Sequence, residues 1–152
     1  MLHRLPPRTA IGVLTAIAAF AASCTSEGAP AADPVAYRSA LESLCSSSST
    51  EQAALAPPGE IGVATFARSV GEILTRQADD ARALRPPADL DDDHRAFVQN
   101  TADQAGEWMN LASTSPDDTE EFGARQTAIL ELSLGRDDLS EAMQVPQCRV
   151  QQ

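Results

Sequence analysis

An all-α fold, a helical bundle of about four helices over residues 33–152, follows from three features of the sequence. Four stretches carry apolar residues at three- and four-residue spacing, the pattern of an amphipathic helix. No segment alternates with period two for long enough to argue a strand. Short connections bearing Pro or Gly separate the stretches and favour antiparallel neighbours in an up-down bundle. The pattern leaves the helix order open.

Asp33-Pro34 opens the first helix, with an acid at the N-cap and Pro at the first helical position. Its apolar face is Tyr37, Leu41, Leu44 and Cys45, which points Cys45 inward or to the edge of the core. The serine run 46–49 is expected to end it, with a loop reaching Pro57-Pro58. The second helix is expected from Gly59-Glu60 to Leu84, with Val63, Phe66, Ala67, Val70, Ile73, Leu74, Ala78, Ala81 and Leu84 as its stripe. At 1.5 Å per residue it would be roughly 37 Å long. Gly71 costs about 1 kcal/mol against Ala inside a helix, which hints at a close helix crossing. Pro86-Pro87 stop this helix.

The third helix opens at Asp89 or just after, and its stripe reads Leu90, His94, Phe97, Thr101, Ala105, Trp108 and Ala112. Ser115-Pro116-Asp117-Asp118 supplies the start of the fourth: a Ser N-cap, Pro at the first position, then acids that suit the helix dipole. Its face is Phe122, Ile129, Leu130, Leu132, Leu139 and Met143. Leu134-Gly135 followed by Arg136-Asp137-Asp138 could be a cap and restart. Pro146 ends regular structure and leaves Cys148 in the tail.

Residues 1–32 have a different character. His3, Arg4 and Arg8 precede an apolar run from Ala10 to Ala22 broken only by Thr15. The run suits a signal-peptide core and is shorter than the roughly 20 residues that span a bilayer. It ends in Ala21-Ala22-Ser23-Cys24, which resembles the lipobox of bacterial lipoproteins. The resemblance implies a signal peptide over residues 1–23, lipidation of Cys24 as the new N-terminus, and a place on the extracytoplasmic face of the cell membrane. Basic residues that are all Arg, with abundant Ala and Asp, resemble small actinobacterial lipoproteins. Residues 24–32 are small and polar and read as a flexible tether spanning about 15–18 Å. A competing reading is ordinary secretory cleavage after Ala19-Phe20-Ala21, an A-x-A site.

Cysteine parity separates these two readings. With Cys24 lipidated, Cys45 and Cys148 remain as an even pair in an oxidising compartment; cleavage after Ala21 would leave an odd thiol. A Cys45–Cys148 disulfide is therefore expected. It sets a topological condition, because in an up-down bundle the ends of the first and fourth helices lie at opposite poles. Either the tail from Val145 folds back along the bundle or the 46–58 loop crosses over.

The charge is −11, and removing Arg4 and Arg8 with the leader takes it to −13 (9 Arg against 22 acids). Such a surface repels nucleic acid and anionic headgroups, so membrane attachment falls to the lipid at Cys24. The densest acids are Asp89, Asp91, Asp92 and Asp93. Asp89, Asp91 and Asp93 match the first, third and fifth ligand places of an EF-hand. His94 then stands where the loop needs Gly, and Asn100 where it needs a bidentate Glu. The four acids read first as a helix N-terminus complementing the dipole, and then as a contact for a basic partner or a weak cation site. His94 has no second His at i+4, so no transition-metal site is expected. Trp108 and Met109 read as core. No nucleophile elbow, P-loop, C-x-x-C pair or cofactor fingerprint occurs, so no catalytic residue, metal or cofactor is expected. The reading that results is a membrane-anchored helical protein-interaction domain of the cell envelope without catalysis. The alternative is an extracytoplasmic module for a small ligand or cation.

Overall fold

The computed structural model describes residues 33–150. Residues 1–23, expected as a signal peptide, residues 24–32, expected as a tether, and Cys24 within them lie outside the described residues. The described residues form an all-α bundle with no strand among them. Four long helices carry it: α1 (Pro34–Ala53), α3 (Val63–Arg82), α4 (Asp91–Ser113) and α5 (Thr119–Ala142). A single turn, α2 (Pro58–Ile61), precedes α3, and 3-10 turns occupy Ala88–Leu90 and Pro146–Cys148.

Several boundaries depart from the sequence pattern. The first helix does not stop at the serines but runs to Ala53. Serine costs a helix only about 0.5 kcal/mol against Ala, and tertiary contacts outweigh this. Ser48 is buried, Gln52 donates to its hydroxyl, and Glu51 pairs with Arg76 of α3. The second helix is interrupted at Gly62, whose φ of +84° suits glycine alone, so α2 and α3 are separate. The last long helix begins at Thr119 rather than Pro116. Ser115 is spent on a turn, accepting from the Asp118 and Asp117 N–H groups, and Asp118 caps the helix by accepting from the Glu121 N–H. Gly135 breaks nothing; α5 passes through it.

Neighbours pair in the order α1–α3, α3–α4, α4–α5. Pairings such as Glu107–Arg125 with Gln104–Ser133, and Glu51–Arg76 with Cys45–Gln77, run in opposite directions along the two chains, so neighbours are antiparallel. The chain after α5 completes the circuit. Gln144 adopts a left-handed φ of 59°, and the Val145 and Gln144 N–H groups bond the Ser140 and Glu141 carbonyls. This is a Schellman cap with a non-glycine residue at the turning position. It reverses the chain and lays Pro146–Cys148 between α5 and α1.

The core has a lower and an upper part. The lower cluster gathers Tyr37, Leu41, Cys45, Ala81, Leu90, Phe97, Met143, Val145 and Cys148. Upper clusters form around Ala67, Leu111 and Ile129, and around Val70, Leu74 and Ala105. Buried polar side chains, Ser48, Gln77, Gln104 and Arg136 among them, also lie within the bundle. Leu130, expected on the buried face of the last helix, is 59% exposed. Ile129, expected on the same face, is buried; the two differ because α5 has a partner on only part of its circumference.

Candidate functional site

The predicted disulfide is present: Cys45 and Cys148 are joined with 4.9 Å between their Cα atoms. Both are buried in the lower cluster. Of the two routes considered for this bond, the fold-back of the tail is the one taken. The longer α1 also helps, since it leaves Cys45 eight residues, about 12 Å, short of the helix end. With its sulfur in the disulfide, Cys45 offers no thiolate for nucleophilic chemistry.

The four acids divide among several tasks. Asp91, Asp92 and Asp93 occupy the first turn of α4, and Asp89 lies in the preceding 3-10 turn. Asp91 and Asp92 both pair with Arg95 one turn on, so half of the cluster already has a cationic neighbour. Among the described residues, no group of three or more His, Cys, Asp or Glu side chains is placed to hold a metal ion.

His94 is buried, with its Nδ1 2.9 Å from the Tyr37 hydroxyl and the two rings edge to face. Burial lowers the imidazole pKa below its ordinary value, with Asp91 pulling the other way. The phenol is pushed up to about 12, chiefly by burial. Both groups are neutral near pH 7, and the pair joins α1 to α4 at the lower end of the bundle. Trp108 packs edge-on against Phe66, as a core residue does.

A feature that the sequence pattern did not single out lies along α4 and α5. There an open groove of about 490 Å³ is lined by Asn100, Asp103, Glu107, Asn110 and Glu131 over a floor of Ala102, Gly106, Ala128 and Leu132. The small floor residues hold it open; a Cβ built on Gly106 would touch nothing. Asn100 Oδ1 is buried with no hydrogen-bond partner among the described residues. Glu107 is tied to Arg125, whereas Asp103 and Glu131 have no cationic partner among them. Asp103, Glu107 and Glu131 follow a helical spacing on two helices. Only their meeting across the α4–α5 seam makes a site, and that meeting is invisible in a linear pattern.

Compared with known proteins, the chain matches no family model, no curated protein and no solved structure.

Proposed function

We propose that this protein is a non-enzymatic interaction module of the cell envelope, tethered to the extracytoplasmic face of the membrane by a lipid on Cys24. The α4–α5 groove carries the reading: its rim is acidic, its floor is small and apolar, and its buried Asn100 carbonyl needs a donor. That chemistry suits a partner segment with Arg or Lys flanking small apolar residues. Asp89 and Asp93, which have no cationic partner among the described residues, extend the same charge at the start of α4. Tethering by Cys24 and a short linker would raise the effective concentration of such a contact at the membrane without new interface.

The test is affinity capture of the lipidated protein from its own membrane. Gly106→Leu fills the groove from a position with free space around it, so the fold is retained. Loss of a partner in Gly106→Leu, and weakening of the wild-type contact by salt, are the expected results. Asp89, Asp91, Asp92 and Asp93 changed together to Asn should weaken capture by a smaller factor. Release of the chain from membranes by Cys24→Ser, and mass spectrometry placing the lipid on Cys24, test the anchor separately. A partner recovered unchanged on Gly106→Leu removes the groove from the reading.

A further inference from the structure

Arg136 stands in the middle of α5 and is only 7% exposed. A guanidinium carries five N–H donors and keeps its proton at any ordinary pH. Among the described residues, Nη1 donates to Gln104 Oε1 at 3.2 Å, while Nε is buried with no acceptor. Among the described residues, no carboxylate lies within ion-pair distance of Arg136. The adjacent Asp137 accepts the Val150 N–H at 2.7 Å and Asp138 is exposed. Burial pushes the guanidinium pKa down, with the charge of Asp137 as the opposing influence. A buried cation with no counter-anion among the described residues is costly, and an apolar residue of similar size would ordinarily serve better. The guanidinium thus has donor capacity to spare for an anion.

The surroundings supply the space. Arg136 opens onto a cleft of about 260 Å³ between α5, the last turns of α1 and the returning tail, lined also by Ser49, Gln52, Ala53 and Val150. α1 and α5 do not pack on each other directly, so the cleft is a consequence of the bundle's topology. Ser49 and Gln52 offer further polar groups, and Ala53 and Val150 an apolar wall. We propose that this cleft is a binding site for a small monocarboxylate with a short aliphatic part, its carboxylate held by the Arg136 guanidinium and the Ser49 hydroxyl. The protein's charge of −11 selects against dianions such as sulfate, and a cleft of about 260 Å³ has room for an acid the size of butyrate. The dipole of α1 presents its negative end to this cleft and moderates the cation, but none of its carbonyls accepts a hydrogen bond from Arg136. The site is independent of both the α4–α5 groove and the lipid anchor.

The experiment is an NMR titration of the full chain that follows the Arg136 Nε–H resonance, with butyrate as probe at constant ionic strength set by chloride. A saturable shift with butyrate, and none with the neutral isostere butyramide, is expected. Ser49→Leu closes the cleft from the half-exposed face of α1 without touching Arg136. It should weaken butyrate binding about tenfold or more, the effect of losing one charge-assisted hydrogen bond and the space beside it. Arg136→Gln, if folded by circular dichroism, should abolish the butyrate-dependent rise in Tm. A response to sulfate in place of butyrate overturns the ligand class. A butyrate response that fails to saturate, or that survives Ser49→Leu, overturns the site. So does the absence of any response, which would leave Arg136 balanced by the α1 dipole and Gln104 alone.

Discussion

His94 and Tyr37 illustrate how one buried pair sets a pH response. The imidazole sits between α1 and α4 with its Nδ1 on the Tyr37 hydroxyl, and burial, opposed by Asp91, sets its folded pKa below that of the unfolded chain. Below the unfolded value, about 6.5, the unfolded chain binds a proton that the folded one resists. Stability therefore falls as pH drops. Thermal unfolding between about pH 7 and about pH 5 should show a decline whose His94 share disappears in His94→Gln. Identical pH slopes for the two proteins would assign the whole decline to other groups. The sequence placed His94 on the Leu90–Phe97 face but could not show the hydroxyl of Tyr37, 57 residues away, that completes it.

Between helices, the decisive contact is the crossing of α3 over α4 at Gly71. A Cβ built there would lie 2.9 Å from both Cγ and Sδ of Met109 and 3.2 Å from the Ala105 carbonyl oxygen. Met109 is a flexible side chain and can withdraw; the carbonyl is backbone and cannot. Gly71→Ala thus sets a helix-propensity gain of about 1 kcal/mol against overpacking of about 1–3 kcal/mol. A net destabilisation is expected in urea unfolding, partly relieved by adding Met109→Ala. A more stable Gly71→Ala protein would show that the helices can separate at no cost. The close crossing was anticipated from a glycine in a helical stripe, and the structure names the atoms responsible. By contrast Gly135, read as a possible break, sits inside α5 near the Asn100 side chain, where the cost of one glycine is small beside the packing of the helix.

Across the whole molecule, the disulfide closes a loop of 103 residues and ties the folded-back tail to α1. The chain-entropy account values such a closure at about 4–5 kcal/mol. The double variant Cys45→Ala, Cys148→Ala should therefore unfold roughly 15–20 °C lower in a thermal scan. The lower core, which includes both sulfurs, should loosen first in hydrogen exchange, ahead of the upper clusters around Ala67 and Val70. Equal melting temperatures for the oxidised protein and the double variant would mean that the apolar contacts of Met143 and Val145 hold the tail unaided.

The helical class, four amphipathic stripes and the pairing of Cys45 with Cys148 were legible in the sequence, because each depends on spacing or parity along one chain. The ends of the helices were not. The extension of α1 to Ala53, the interruption at Gly62 and the start of α5 at Thr119 turn on local differences of about 1 kcal/mol or less per residue. Packing between helices is large enough to reverse such differences. The groove of α4 and α5 and the burial of Arg136 were decided by the tertiary structure alone. Each needs side chains from separate helices to be brought together, and the direction in which a polar residue faces is set by its neighbours across the bundle.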